Sequence, residues 1–207
     1  MRTTGSKNRA TPDKRRAILD GALQLFLSRG LAAATLDVLC QALAIHRSTF
    51  YHLFKSKEAV AVELYREAID ELNGQIRRQL AATQGVEAGV RAIVTGYLEW
   101  FQAHPQRGAF VWKVMDSELM VEHIQPIRAQ QRAFIQGLLD WLAPYQVSGQ
   151  VRHLSAAMLA ALIIGPARDF VRARPVSADF GEALNVLPQA AWQAVRLTGG
   201  QVGAQGG

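Results

Sequence analysis

Apolar residues along this chain recur at spacings of three and four, the period of an amphipathic helix. Ile18, Leu19, Ala22, Leu25 and Phe26 form one such stripe. Thr11 and Pro12 precede it, a capping residue and then a proline in the first turn, where a missing N–H is no loss. Gly30 closes it, where a left-handed residue is wanted. Thr35 is a second cap, followed by Leu36, Leu39, Cys40 and Leu43. Phe50, Leu53 and Phe54 make a third stripe. Ser56-Lys57-Glu58 opens a long helix over about 57–82, marked by Ala61, Leu64, Ala68, Ile69, Leu72, Ile76 and Leu80.

Beyond it, Gly85 and Gly89 bracket a junction near 82–88. Further helices are expected over 86–103, 106–118, 123–143, 148–173 and 178–198. Pro105, Pro126 and Pro144 punctuate them. Pro166 is expected to kink the 148–173 helix, and Pro188 to kink or split the last. No stretch alternates with period two. The expected fold class is therefore all-α, with about nine helices. Residues 199–207 hold five Gly in nine and little to bury, so disorder is expected there.

Composition narrows the class without naming a function. Of 207 residues, 49% are hydrophobic and 19% charged, a globular balance. One cysteine, Cys40, excludes an internal disulfide and a thiolate-rich zinc site. The longest apolar run, about 156–164, is too short to span a bilayer. The polar, basic start has no apolar core, so no signal peptide is visible and a cytoplasmic protein is expected.

The distribution of charge adds more. Residues 1–60 carry 10 Lys/Arg and 4 Asp/Glu, and the remainder 13 of each. The whole excess of +6 thus sits in the first third. Such asymmetry suits an end that meets a polyanion, with nucleic acid first, because a basic module displaces counterions from phosphates. A solubilising basic tail is the competing reading.

Thr35 to Val60 is the informative stretch. Two short amphipathic helices, 35–42 and about 46–52, lie a few residues apart and both bury apolar sides. That is how a helix-turn-helix (HTH) is built, with the second helix in the major groove. Its outward positions would be His46, Arg47, Ser48, Thr49, Tyr51 and His52, none of them acidic. All can hydrogen-bond to phosphates or base edges, and the small Ser48 and Thr49 let the backbone approach the groove.

On these residues the chain resembles the TetR family of bacterial transcriptional regulators. The matching positions are Ile18-Leu19, Leu25-Phe26, Gly30, Thr35, and Thr49-Phe50-Tyr51-His52-Leu53-Phe54-Lys55-Ser56-Lys57-Glu58, within about residues 14–65. The resemblance implies a basic N-terminal arm with a three-helix HTH DNA-binding domain over 1–56. It implies a helical effector-binding and dimerisation domain over 57–198. Thr35 would cap the first HTH helix and touch phosphate. Arg47, Ser48 and Thr49 would face the groove, Tyr51 and His52 would meet backbone or bases, and Lys57 a phosphate. Phe50 and Phe54 would be core. The chain departs from the pattern at Ala44, where the family usually has Gly in the turn, and at Ser48, a frequent Gly. His46 replaces a Ser or Thr cap, and either contacts DNA or is a plain surface histidine. Cys40 reads as a small buried core residue rather than a redox sensor.

The neutral remainder holds Trp100, Trp112, Trp141 and Trp192. Large aromatics and Met among helices either fill an ordinary core or line an apolar ligand cavity. The cavity reading names Trp100, Trp112, Met115, Phe134, Leu138 and Trp141, with 104–119 as a wall and Asp116, Glu118 and Arg128 as its possible polar groups. The effector would be small and largely apolar. In the resembled family the last two helices pair with their twins. Leu162, Phe170, Leu184, Trp192 and Val195 are the expected homodimer contacts, with packing inside one subunit as the competing explanation. A two-fold dimer would present two recognition helices to the half-sites of a palindromic double-stranded operator.

No catalytic or metal site is expected, and no cofactor. His46, His52, His104, His123 and His153 are scattered without a ligand spacing, and no nucleophile elbow or phosphate loop is present. The expectation is a ligand-responsive transcriptional regulator, most often a repressor in such families. The alternatives are a DNA-binding accessory protein without small-molecule control, and a helical carrier or enzyme.

Overall fold

The structure is a computed structural model describing residues 10–173 and 179–197. The expected basic arm before residue 10, the expected disorder over 199–207 and the ends of the expected 178–198 helix lie outside the described residues. Nine helices and no strand occur among the described residues: α1 (Ala10–Arg29), α2 (Leu36–Ala42), α3 (Arg47–Leu53), α4 (Lys57–Ala81), α5 (Val86–Ala103), α6 (Pro105–Met115), α7 (Gln125–Val147), α8 (Ala156–Ala173) and α9 (Gly181–Val195). A short 3-10 turn, Glu118–Met120, lies between α6 and α7.

The chain divides into two compact units. One holds residues up to Asp70 with Gln106–Arg128, the other Glu71–Pro105 with the residues from Ala129. The first unit thus takes in more chain than the 1–56 expected to bind DNA.

In the first unit the α1 stripe is buried: Ile18, Leu19, Ala22, Leu23 and Phe26. Phe26 stacks on Phe110 of α6 with centroids 5.9 Å apart, and Gln24 donates to Gln106 at 2.9 Å. Gly30 ends α1 at φ +82°, a conformation that costs glycine nothing. Lys57 then closes the α1–α2 connection, its Nζ donating to the carbonyls of Leu31 (2.8 Å) and Ala32 (3.1 Å).

In the second unit α5, α8 and α9 pack on one another. The α5 stripe is broad, from Val86 through Val90, Ile93, Val94 and Leu98 to Phe101. Asn73, buried on α4, donates to Gln131 of α7 at 3.0 Å.

Several expected boundaries are corrected. Gly89 is not part of a junction but lies inside α5, where a methyl in place of its hydrogen would fall 2.3 Å from the Trp141 ring. Its bare backbone is what the indole packs against. The 148–173 helix begins only at Ala156. Residues 148–155 instead form a loop bridged to the chain after α9: Arg152 N–H donates to Val195 (2.8 Å) and Leu197 N–H to Gln150 (3.1 Å). Gly149, at φ +74°, starts that loop, and the Ser155 hydroxyl caps α8 by accepting from Met158 N–H.

Prolines interrupt less than expected. Pro144, Pro166 and Pro188 all lie inside continuous helices, and Pro188 does not split α9. Pro126 sits second in α7, in the turn where its missing N–H is harmless.

Candidate nucleic-acid interface

The two short helices meet at a tight turn. Thr35 caps α2, its hydroxyl accepting from Val38 N–H at 3.4 Å. At the other end Ile45 N–H donates to Cys40 (3.0 Å) and Ala44 N–H to Gln41 (3.2 Å). This paired closure satisfies two of the carbonyls that a helix end leaves open. It requires a left-handed residue, and Ala44 supplies it at φ +50°. Behind the turn, Gly21 of α1 leaves room for Leu43, whose methyl would lie 2.1 Å from any Cβ there.

Phe50 anchors α3, fully buried, with Tyr51 and Phe54 rings 5.9 Å away. The anchoring turns the opposite face outward. His46, Arg47, Ser48, Tyr51 and His52 are exposed, and Thr49 is half-buried. Tyr51 is 56% exposed, unusual for so large a ring. His46 occupies the N-cap of α3 but makes no side-chain cap bond. Arg47 reaches back to Asp37 on α2, its Nε donating at 2.8 Å, and the carboxylate holds the guanidinium above its usual range. Lys57 is half-buried, tied to the two carbonyls described above. Burial pushes the Cys40 thiol up, away from the reactive thiolate.

Three residues that sequence reasoning passed over belong to this surface. Lys14 of α1, exposed, lines a cleft of about 440 Å³ with Ser48, Thr49, His52 and Leu53. Arg15 and Glu63 are joined by a two-pronged ion pair, and Arg15 donates to the Leu53 carbonyl at 2.7 Å. The available signal was the basic run Lys14-Arg15-Arg16, which an apolar-stripe reading treats as solvated.

Residues 18–64 match the profile described as bacterial regulatory proteins, tetR family. Over these residues the chain is similar to the N-terminal domain of the TetR family.

Among curated relatives, the HTH-type transcriptional repressor KstR2 of Rhodococcus jostii is 36% identical over 101 residues, covering 49% of this chain and 47% of that protein. The HTH-type transcriptional regulator RutR of Escherichia coli is 30% identical over 70 residues, 34% of this chain and 33% of that one. The chain thus spans about half the length of the first relative and a third of the second. Solved TetR-family structures share the fold over nearly the whole chain. One from Marinobacter aquaeolei has a TM-score of 0.76 at 16% identity, covering 92% of this chain and all of the other. The ketosteroid transcriptional regulator KstR2 of Mycobacterium tuberculosis has 0.68 at 20% identity, covering 88% and 95%.

The residues expected to line a cavity fall in both units. Trp100, Phe134, Leu138 and Trp141 are in the second, and Trp112 and Met115 in the first. Trp100 is buried against Phe101 and His104. Trp141 packs on Tyr145 and Gly89, Leu138 is half-buried, and Phe134 receives the Arg77 guanidinium 5.0 Å from its centroid. Trp112 is half-buried, while Met115, Asp116 and Glu118 are exposed.

Of the expected dimer contacts, Val195 is corrected. It is fully buried within its own subunit, at the end of α9 where the Arg152 loop closes over the chain. Trp192 is also buried, its remaining edge in a cleft beside Val86, Arg91 and Arg196. Leu162, Phe170 and Leu184 are half-buried, and Phe170 meets Phe180 edge-on at 5.4 Å. The exposed apolar positions on these helices are Met158 and Val186. Among the described residues no His, Cys, Asp or Glu cluster is placed to hold a metal, and no helix is long and apolar enough to cross a membrane.

Proposed function

We propose that this chain is a sequence-specific transcriptional regulator, working in the cytoplasm as a homodimeric repressor on a palindromic operator. The observation that carries the reading is the α2–turn–α3 pair, which buries Phe50 and presents Arg47, Ser48, Tyr51 and His52 on one acid-poor helix face. Such a helix fits the major groove, and its polar and aromatic side chains suit base edges. Thr35, His46, Thr49 and Lys14 would steady it on the sugar-phosphate backbone. Lys57, with two N–H groups on protein carbonyls, keeps a third for a phosphate.

The 57–198 region would bind a small, largely apolar effector and form the dimer. Trp100, Phe134, Leu138 and Trp141, all in the second unit, support an apolar ligand class. Leu162, Phe170 and Leu184 support pairing through the last two helices, joined by the exposed Met158 and Val186. Effector binding would shift the population toward a conformer whose two recognition helices no longer fit both half-sites, about one duplex turn apart. The Phe26–Phe110 stack offers a route, because a displaced α6 would carry α1 with it.

The test is fluorescence anisotropy with duplex from upstream of the gene, at about 150 mM salt with random competitor. Arg47→Ala and Tyr51→Ala are expected to abolish sequence preference with helicity and dimer mass unchanged. Lys57→Ala should weaken binding to all sequences alike and lower the salt slope by about one. If all three bind like the parent, the assignment of these contacts is wrong.

A further inference from the structure

A seven-residue helix leaves most of its carbonyls without an intrahelical partner. At the end of α3, Phe54 N–H donates to Phe50 at 2.8 Å, and the Leu53 carbonyl is taken by Nη1 of Arg15 at 2.7 Å. The same guanidinium lies 4.2 Å over the Phe54 ring. Its other edge is gripped by Glu63 of α4, with Nε donating to Oε1 at 2.9 Å and Nη2 to Oε2. One side chain thus joins α1, the end of α3 and α4. A cation is favoured at a helix C-terminus, and a planar fork serves both carboxylate oxygens and the carbonyl from three separate nitrogens.

We propose that Arg15, oriented by Glu63, is a positioning residue for DNA recognition: it fixes the far end of α3 and so the angle at which Tyr51 and His52 are presented. The proposal rests on reading α3 as the groove-facing helix. Three of the five Arg15 N–H groups are directed at protein acceptors, which favours a supporting role over a phosphate contact. Glu63 is 19% exposed, so the pair is shielded better than a surface pair.

The test uses the full chain and three variants, Arg15→Gln, Arg15→Lys and Glu63→Gln. Hydrogen exchange is read amide by amide, and anisotropy is read on a genomic duplex selected by the parent and on random duplex. In Arg15→Gln, amides 50–54 should exchange about tenfold faster, the size expected for losing one charge-assisted bond. Amides in the interior of α1 should not change. Affinity for the selected duplex should fall about tenfold, with random-duplex affinity and salt slope unaltered. Glu63→Gln should show the same pattern more weakly. Arg15→Lys should recover only part, since a single Nζ cannot reproduce three bonds made from three separate nitrogens.

Unchanged exchange at 50–54 would overturn the proposal, as would faster exchange throughout α1–α4, which marks a merely structural ion pair. Equal losses on both duplexes with a salt slope reduced by about one would make Arg15 a phosphate ligand instead. A parent that prefers no duplex would defeat the proposed function, while the exchange data would still decide whether Arg15 holds α3.

Discussion

The two units solve the problem of order in different ways. In the second, helices are long and bury whole faces: α5 alone buries eleven residues, and Gly89 and Gly96 let neighbours reach its backbone. In the first, α2 buries two residues and α3 only Phe50. Burying one phenylalanine contributes about 1.5–3 kcal/mol, too little to fix an isolated seven-residue helix. What burial leaves undone, polar links supply: Arg15 to Glu63 and Leu53, Arg16 to Glu67 at 2.9 Å, and Lys57 to Leu31 and Ala32. A helix that must show a polar face on most of its circumference has few apolar positions to spend on anchorage. Its orientation then depends on directional bonds, whereas a helix buried on a broad face can be held by shape.

Substitutions can break that contrast, beginning with the largest effect. Gly89→Ala should destabilise the second unit by about 1–3 kcal/mol, because the Trp141 ring must be displaced from a packed site. Chemical denaturation would show it, and an unchanged midpoint would mean that this packing is looser than the geometry implies. Ala44→Gly should act oppositely in the first unit. Relieving a left-handed alanine is expected to stabilise by about 1 kcal/mol, read as a raised melting temperature. A lower one would show that the alanine methyl matters more than its strain.

The smallest effect is silent at neutral pH. Tyr97 is buried in α5, and burial pushes its hydroxyl well above the usual phenol value near 10. Its folded form therefore keeps a proton that the unfolded chain gives up. The associated stability is complete below pH 10 and is lost progressively above it. Tyr97→Phe should flatten that alkaline decline in denaturation midpoints while leaving the curve near pH 7 alone.

Helical periodicity located the elements closely wherever the apolar stripe was continuous. The predicted 86–103 helix is α5, and 57–82 is α4 to within a residue. It failed where tertiary contacts override local signals. Gly89 looked like a breaker because its use, a seat for Trp141, lies over fifty positions away. Pro144 looked like a stop and Pro188 like a kink or a split, but each helix continues past the one bond it loses. Residues 148–155 read as helix because their pairing with the chain near Val195 has no local signature.

At the candidate interface the outward residues were legible from spacing alone, and the left-handed turn at Ala44 from the resemblance, which places a Gly there. Their supports were not. Arg15 and Glu63 are 48 positions apart, and neither interrupts an apolar stripe. Val195 illustrates the reverse limit, since an apolar residue on a surface-bound helix can belong to either side of its own subunit.

The Arg47–Asp37 pair bears on how electrolyte titrations of this protein should be interpreted. An arginine that approaches a duplex clothed in its own carboxylate exchanges one anion for another, leaving a carboxylate bare to recruit a cation from solution. That uptake offsets an ion expelled from the phosphates, so the apparent ion stoichiometry would undercount the basic side chains engaged. If Arg47 meets DNA as proposed, Asp37 would act as a tethered counterion, damping the protein's attraction to arbitrary duplex and leaving discrimination to contacts that depend on shape.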